Sequence, residues 1–197
     1  MARHLFVYLH GHGSSPAEVD EIITAVDPTR SYIAVTPEGP IAVSATGRAW
    51  FEDGTRGTEV ASLQRAVEWV SNVLGGTTTD LGVPLSHVVL GGYSQGAATA
   101  LAVAASLSAP LGGMLLQSPF VPDGPDIELD LATVPAMPVL LQHGTRDDVV
   151  PTFFVEHVAA QLASAGCEVE VQPFAAGHTR TPEMAEAARV WLRSRIV

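Results

Sequence analysis

Lysine is absent from this sequence, cysteine occurs once, and charged residues make up only 16% of the 197 positions. The ten basic residues are all arginines scattered along the chain, whereas Asp and Glu number 21, so the formal net charge is −11. Nucleic acids and anionic membrane surfaces carry charge of the same sign. Neither is therefore expected as a partner of this protein.

The single cysteine, Cys167, cannot form an internal disulfide, so nothing indicates an oxidising compartment. The apolar run Leu5–Leu9 is too short for the core of a signal peptide. No stretch reaches the ~18 consecutive apolar residues that indicate a membrane-spanning helix. We therefore expect a cytoplasmic protein without stable membrane association, and the sequence leaves its oligomeric state open.

Hydrophobic residues make up 47% of the sequence, which excludes a disordered chain and is enough for one folded domain over residues 1–197. Short apolar runs alternate with segments of helical periodicity, the pattern of βα units and a parallel sheet. The predicted strands are 5–9, 32–36, 87–91, 113–117, 139–142 and 168–172. The predicted helices are 58–74, 95–107, 151–165 and 182–195. Segment 75–86 is predicted as a flexible connector, and 37–57 and 118–137 as long loops, a length often associated with function.

The strongest chemical signal is Gly92-Tyr93-Ser94-Gln95-Gly96, which lies between a predicted strand and a predicted helix. This is the strand–turn–helix context in which G-x-S-x-G exposes a nucleophilic serine above a sheet. Glycine at both ends avoids the clashes that side chains would make in so sharp a turn. The pattern predicts Ser94 as a nucleophile.

A serine hydroxyl becomes a good nucleophile only when a base takes its proton. The histidines that follow Ser94 are His143, His157 and His178. His157 falls within a helical stripe, where a partly buried role is expected, and His143 ends a predicted strand. His178 lies in the loop between the last strand and the last helix, which predicts it as the base.

The acid that orients this base should follow the preceding strand, where Asp147 and Asp148 are adjacent. A carboxylate bound to the base fixes its tautomer and stabilises the imidazolium. Neighbouring loop residues point in different directions, so one of the two should reach His178, and Asp147 is preferred. Weaker alternatives lie in the loop after the previous strand, at Asp123, Asp126 and Asp130.

The developing oxyanion requires preorganised N–H donors. One expected donor is the amide of Gln95, directly after the nucleophile. The other is the amide of His12, in the loop His10-Gly11-His12-Gly13 after the first strand, where glycines allow the backbone to curl. His10-Gly11-His12 also permits a metal-site interpretation, but Ser14 and Ser15 stand where further ligands would be needed. No metal and no cofactor is expected.

Taken together, these motifs resemble the phospholipase/carboxylesterase family of α/β-hydrolases, which includes the acyl-protein thioesterases. Leu9-His10-Gly11-His12-Gly13 is similar to the family's LHGxG segment, and Gly92–Gly96 to its nucleophile motif. His143-Gly144-x-x-Asp147-x-x-Val150-Pro151 resembles its acid segment, which selects Asp147 over Asp148, and Gly177-His178 its base segment. Arg48-Ala49-Trp50-Phe51 resembles a Trp-Phe pair beside the active site. The resemblance covers residues 5 to 192.

The resemblance implies an α/β-hydrolase fold with helices on both faces of the sheet. Family members usually begin with an antiparallel strand pair, for which the few residues before Leu5 leave no room. The expected sheet is therefore trimmed, mostly parallel and about six strands wide. Ser14 stands where the family often has aspartate, so substrate preference is not carried over in detail.

Apolar side chains in the two long loops predict the substrate. Trp50 and Phe51 in one loop and Phe120 in the other are expected to line a pocket beside Ser94. The expected function is a serine carboxylesterase that acts on small to medium acyl esters through an acyl-enzyme. The alternatives are a thioesterase or lysophospholipase with the same residues, another cleavage chemistry on this scaffold, and a binding protein that has the fold without turnover.

Overall fold

Six parallel strands form the main sheet of the computed structural model, which describes residues 3–196. In chain order they are β1 (Leu5–Leu9), β2 (Ile33–Val35), β3 (Val88–Tyr93), β4 (Gly113–Gln117), β5 (Pro138–Gly144) and β6 (Glu168–Phe174). Their order across the sheet is β6–β5–β4–β3–β1–β2, and every neighbouring pair is parallel. The expected parallel sheet of about six strands is confirmed. All carboxyl ends lie at one edge, where open α/β sheets bind ligands.

Five helices cover the two faces of this sheet. They are α1 (Pro16–Val26), α2 (Val60–Leu81), α3 (Gln95–Ala105), α4 (Thr152–Ser164) and α5 (Pro182–Arg193). Helices α2, α3 and α4 contribute to one apolar cluster, and α1 and α5 to the other. Strand β1 is buried on both faces, as the uninterrupted apolar run in its sequence predicts.

Helix α2 is longer than the sequence predicts, because it does not stop at Gly75. It continues through Gly75 and Gly76 and ends only at Gly82, which has the left-handed φ of 64° that closes many helices. The threonines that follow Gly76 bond back within the helix: the hydroxyl of Thr78 donates to the Leu74 carbonyl at 2.9 Å. The predicted flexible connector 75–86 is therefore wrong over its first half.

The predicted loop 37–57 contains short regular structure. Ile41–Ala42 pairs with Arg48–Ala49, and Asp53–Gly54 pairs with Gly57–Thr58, each as a two-stranded antiparallel ribbon. In the other long loop a single 3-10 turn forms at Leu131–Thr133. The ribbons give backbone partners to a segment that lies across the carboxyl edge of the sheet.

A ladder of buried and partly buried polar side chains crosses the sheet on the face covered by α1 and α5. The Tyr8 hydroxyl donates to Gln117 at 2.8 Å, Gln117 donates to Gln142 at 2.9 Å, and Gln142 donates to Gln172 at 2.9 Å. Buried amides need such partners, because an unpaired one costs ~1–3 kcal/mol. Tyr8 reaches Gln117 over strand β3, where Gly91 is its neighbour in the sheet.

Gly91 and Gly75 provide a matched pair of alanine substitutions. A Cβ on Gly91 would lie 2.8 Å from a ring carbon of Phe6 and 3.1 Å from one of Tyr8, whereas a Cβ on Gly75 would meet nothing within 4 Å. We expect Gly91→Ala to lower the free energy of unfolding by ~1–3 kcal/mol through overpacking. Gly75→Ala should raise it by ~0.5–1 kcal/mol through helix propensity. Urea unfolding measures both, and equal effects would contradict this assignment of space.

Candidate active site

Ser94 occupies a strained turn between β3 and α3. Its φ is 52° and its ψ is −118°, a conformation that residues with a Cβ rarely adopt. The turn is held from both sides: the Ser94 N–H donates to the Gln117 carbonyl at 2.9 Å, and a Cβ on Gly96 would lie 2.2 Å from the Leu9 carbonyl oxygen. Only glycine allows α3 to approach β1 so closely, and the result is a serine side chain presented at the carboxyl edge of the sheet.

A continuous hydrogen-bonded chain links Ser94, His178 and Asp147. The Ser94 Oγ lies 3.0 Å from His178 Nε2, and His178 Nδ1 lies 2.7 Å from Asp147 Oδ2. With Asp147 ionised, Nδ1 carries the proton and donates to the carboxylate, which leaves Nε2 free to accept from the serine hydroxyl. The structure thus brings together the three residues that the sequence predicts as nucleophile, base and acid.

The Asp147 carboxylate is buried, with 0% of its side chain exposed. Its Oδ1 accepts from the Val149 and Val150 N–H groups at 3.0 and 2.8 Å, and its Oδ2 accepts from the Ser118 hydroxyl at 3.1 Å. Burial alone raises the pKa of Asp147, but the hydrogen bonds from Val150, His178 and Ser118 outweigh it and hold the pKa below its ordinary value. The group is therefore a charged acceptor at neutral pH.

Backbone contacts fix the loop of the base against the loop of the acid. The Thr145 N–H donates to the Phe174 carbonyl at 2.7 Å, and the Arg146 N–H donates to the Ala176 carbonyl at 2.9 Å. A Cβ on Gly144 would lie 2.3 Å from the Gly177 carbonyl oxygen, so glycine is required where the two loops cross. This packing explains the short distance between Asp147 and His178.

The other predicted aspartates do not reach the histidine. Asp148, Asp123 and Asp126 are exposed. Asp130 is also exposed and caps the 3-10 turn, with its carboxylate accepting from the Ala132 N–H at 2.9 Å. Among the four, none lies within hydrogen-bonding distance of His178 in the structure described for residues 3–196.

The other two histidines lie away from Ser94. His157 is exposed on α4 and bonds Gln161 at 2.7 Å, so its expected partial burial is corrected: the residue faces solvent, outside the packed stripe of the helix. His143 is buried at the end of β5, with Nδ1 3.9 Å from Asp147 Oδ2. Burial lowers the pKa of His143, so this ring is neutral beside the carboxylate.

The two residues predicted to supply oxyanion donors both contact the cavity at Ser94. Gln95 is the first residue of α3 and His12 lies in the loop after β1, and both line the same cavity as Ser94. Neither N–H has a protein acceptor among residues 3–196. The loop of His12 is shaped by Gly13, whose φ is 76° and whose N–H donates to the Arg48 carbonyl at 2.8 Å. The N-terminus of α3 also directs positive partial charge at this position.

An apolar cavity of about 480 Å³ opens beside Ser94. Of the residues predicted for a pocket, Phe51 and Phe120 line it, and their rings meet edge to face with centroids 6.5 Å apart. Several further residues line the cavity that no sequence pattern had assigned to a pocket: Asp53, Tyr93, Val149, Val150 and Phe154. Val149 and Val150 lie within the acid segment and Phe154 follows it closely, and this nearness to Asp147 in the sequence was the available signal.

Trp50 does not line this cavity, and its predicted role as a pocket residue is corrected. Its side chain is 0% exposed, and its indole N–H donates to the His10 carbonyl at 2.8 Å. Its backbone N–H donates to the side chain of Gln95 at 2.8 Å, and Gln95 in turn donates to the Phe51 carbonyl at 2.8 Å. The indole ring needs a partner for its N–H when buried, and the neighbouring loop supplies one.

Two further observations concern metal ions and membrane-spanning helices. Across residues 3–196, no group of three or more His, Cys, Asp or Glu side chains is arranged to hold a metal ion. In the same part of the chain, no helix has the length and apolar character needed to cross a membrane.

Comparison with known proteins shows the family to which the chain is similar. The family model described as Phospholipase/Carboxylesterase matches residues 1–196. Acyl-protein thioesterase 1 of Gibberella zeae is 26% identical over 206 aligned positions, covering 94% of this chain and 86% of that protein. Acyl-protein thioesterase 1 of Candida albicans is 26% identical over 167 positions, covering 76% of this chain and 72% of that protein.

Solved structures show the same likeness. Esterase PE8 superposes with a TM-score of 0.86 at 26% identity, over 99% of this chain and 94% of that one. The carboxylesterase of Bacillus cereus superposes with a TM-score of 0.82 at 20% identity, over 98% of this chain and 89% of that one.

Fold and relatives together define the class of protein: a serine hydrolase with the α/β-hydrolase fold. Within that class, the chain belongs to the phospholipase/carboxylesterase family. The resemblance carried by its sequence motifs is thereby confirmed: the matching family is that of the phospholipases and carboxylesterases, and the two relatives are acyl-protein thioesterases.

Asp147→Asn tests the orientation of the histidine. The asparagine amide is neutral and can present its NH₂ group to His178, which favours the tautomer with the proton on Nε2, where it can no longer accept from Ser94. We expect kcat to fall by roughly 10²–10⁴-fold with KM little changed. Asp148→Asn, at the exposed neighbour, is the matched control and should keep wild-type kcat. Equal losses in the two variants would contradict the assignment.

The lowered pKa of Asp147 also predicts how stability depends on pH. Because the folded pKa lies below the unfolded one, the stabilising contribution is complete above the ordinary aspartate value of about 4. It is lost as the pH falls from there through the folded pKa. Urea unfolding between neutral and acid pH should therefore show a steeper loss for wild type than for Asp147→Asn. Parallel curves would contradict the lowered pKa.

Proposed function

We propose that this protein is a serine carboxylesterase that hydrolyses small to medium acyl esters through an acyl-enzyme on Ser94. The observation that carries the proposal is the chain Ser94–His178–Asp147, bonded at 3.0 and 2.7 Å, at the edge of an apolar cavity. A buried aspartate, an oriented histidine and a partly exposed serine form the constellation that acyl transfer requires. A binding protein without turnover would have no need of this arrangement.

The proposed reaction has two halves. Ser94 Oγ attacks the ester carbonyl carbon while His178 Nε2 takes the hydroxyl proton, and the carbonyl oxygen becomes an oxyanion that accepts from the His12 and Gln95 N–H groups. The C–O bond to the alcohol then breaks, and His178 returns the proton to the leaving oxygen. Water adds to the acyl-enzyme by the same route and releases the carboxylic acid, which restores Ser94.

The shape of the cavity supports the substrate class. Apolar side chains from three segments surround it, chiefly Phe51, Phe120, Val150 and Phe154, so the acyl group rather than a charged leaving group suits this space. A thioester with the same acyl group is the second candidate, favoured by the acyl-protein thioesterases among the relatives. A lysophospholipid would place its acyl chain in the same cavity.

The proposal includes the organisation of the molecule and its surroundings. Residues of the whole site come from positions 10 to 178, so a single domain over 1–197 would carry it. The expected substrate is a small molecule, and the net charge of −11 disfavours nucleic acid and anionic membranes as partners. A cytoplasmic place of action is consistent with the single cysteine, which needs no oxidising compartment.

Ser94→Ala tests the nucleophile. With p-nitrophenyl butyrate as substrate, we expect kcat/KM to fall roughly a thousand-fold or more, and labelling by a fluorophosphonate probe to disappear. Ser106→Ala, an equivalent change at the end of α3, should leave both intact. EDTA should not alter wild-type activity. Wild-type rates in Ser94→Ala would exclude Ser94 as nucleophile and bring a metal-dependent or non-catalytic function forward.

Acyl-chain length tests the cavity. From acetate to butyrate and octanoate, kcat/KM should rise. Each added methylene should contribute at most its transfer free energy of ~0.8 kcal/mol to transition-state binding. Phe120→Ala should lower kcat/KM more for octanoate than for acetate, whereas Val190→Ala, on the exposed side of α5, should not. Indifference to chain length in wild type would contradict an apolar acyl pocket.

A pair of substrates separates the two candidate activities. The p-nitrophenyl ester and the thiophenyl ester of butyric acid present one acyl group with different leaving atoms. A clear preference for the oxygen ester in kcat/KM supports the carboxylesterase, and a clear preference for the thioester supports the second candidate.

A further inference from the structure

His10 is buried beneath the loop that carries the His12 N–H, with 3% of the residue exposed. Its ring makes two hydrogen bonds: the Gly39 N–H lies 2.9 Å from Nε2, and the Gly11 carbonyl oxygen lies 2.8 Å from Nδ1. A backbone N–H can only donate, so Nε2 is the acceptor and carries no proton. The proton is therefore on Nδ1, which donates to the Gly11 carbonyl.

The neutral state of His10 follows from the same contacts. A second proton on Nε2 would leave the buried Gly39 N–H without its acceptor. Burial lowers the pKa of His10, and Arg48 lowers it further. The hydrogen bond to Gly11 and the nearby Glu38 and Glu18 carboxylates raise the pKa, but burial has the stronger influence. The Trp50 ring packs at 4.9 Å with an interplanar angle of 32°. The imidazole has one tautomer and one position.

The hydrogen bond from His10 to the Gly11 carbonyl oxygen also fixes the direction of the His12 N–H. The Gly11 C=O and the His12 N–H belong to one planar trans peptide unit, so they point in opposite directions. The Ser14 N–H also donates to the Gly11 oxygen, at 3.2 Å. A hydrogen bond that holds the Gly11 oxygen on the protein side of the loop therefore turns the His12 N–H to the other side. There His12 lines the cavity with Ser94 and Gln95.

We propose that His10 is a positioning residue, whose Nδ1–H holds the Gly11–His12 peptide so that the His12 N–H faces the oxyanion. The inference rests on the proposed function, in which that N–H is an oxyanion donor. A preorganised donor is effective because it needs no reorganisation in the transition state. A peptide free to rotate about its neighbouring dihedrals would lose this advantage without losing the nucleophile.

Two substitutions separate the two bonds of the imidazole. In His10→Asn the side-chain NH₂ group stands near the place of Nδ1 and can donate to Gly11, but the acceptor for Gly39 is lost. In His10→Gln the longer side chain can accept from Gly39 with its carbonyl oxygen, but the donor near Gly11 is lost. Tyr32→Phe, which removes a buried hydroxyl bonded to the Leu192 carbonyl at 2.8 Å far from the site, is the stability control.

We expect kcat of His10→Gln to fall by roughly 10–100-fold, less than the ~10²–10³-fold cost of deleting an oxyanion donor. KM should be almost unchanged, because the ground-state carbonyl uses the donor weakly. The Ki of a trifluoromethyl ketone, whose serine adduct carries an oxyanion, should rise by a similar factor. His10→Asn should stay within about threefold of wild type in kcat, since the donor to Gly11 is kept. Tyr32→Phe should lose stability but not kcat.

The inference is overturned if His10→Gln keeps kcat and Ki near wild type, or if His10→Asn loses as much as His10→Gln. A loss of kcat that follows Tm across the three variants would likewise reduce His10 to a structural role. One measurement needs no variant: the ¹⁵N chemical shifts of the His10 ring in wild type should show a neutral imidazole protonated on Nδ1. A proton on Nε2 would overturn the inference directly.

Failure of the proposed function would look different. If Ser94→Ala retains activity, the proposed function is wrong, and the inference that rests on it is overturned as well. If Ser94→Ala is inactive while His10→Gln is fully active, the proposed function stands and only the role of His10 is wrong.

Discussion

The close approach of helix α3 to strand β1 is the constraint on which the site depends. A Cβ on Gly96 would lie 2.2 Å from the Leu9 carbonyl oxygen, and one on Gly92 would lie 2.5 Å from the Gly96 carbonyl carbon. The chain can make this turn only by placing Ser94 at a φ of 52°. The strain is compensated by the surrounding packing, and it presents the serine at the carboxyl edge of the sheet with the helix N-terminus behind it.

The side chain of Gln95 extends the same constraint to the loop that follows β2. It accepts from the Trp50 N–H and donates to the Phe51 carbonyl, so one residue beside the nucleophile holds a wall of the cavity. Trp50 in turn bonds the His10 carbonyl, and His10 bonds Gly11 and Gly39. Buried polar groups that are fully paired rigidify their surroundings, because breaking one bond leaves a partner unsatisfied. The turn at Ser94, the cavity wall and the loop of His12 therefore form one connected unit.

Local patterns predicted the sheet well, because strands covered on both faces are continuous apolar runs bounded by loops. They failed where local and tertiary preferences differ. Gly75 resembles a helix stop, yet α2 continues to Leu81: the Thr78 hydroxyl bonds back to the Leu74 carbonyl, and Gly82 supplies the left-handed closure. Trp50 resembles a pocket aromatic, yet the indole turns inward to bond His10. Phe154 at the start of α4 and Val149 in the loop before that helix both line the cavity, a placement that depends on how the helix packs.

The sequence by itself determined the order of the site residues along the chain: a serine in a glycine-bounded turn, then an aspartate and then a histidine, each after a strand. In a parallel sheet these strand ends must share one edge, so their proximity follows from local signals. Tertiary structure alone decided the distances, the choice of bond partners and the boundaries of the cavity. The crossing of the Gly144 and Gly177 loops sets the Asp147–His178 contact, and the burial of His10 sets its tautomer. These depend on contacts between residues distant in sequence, which no local pattern encodes.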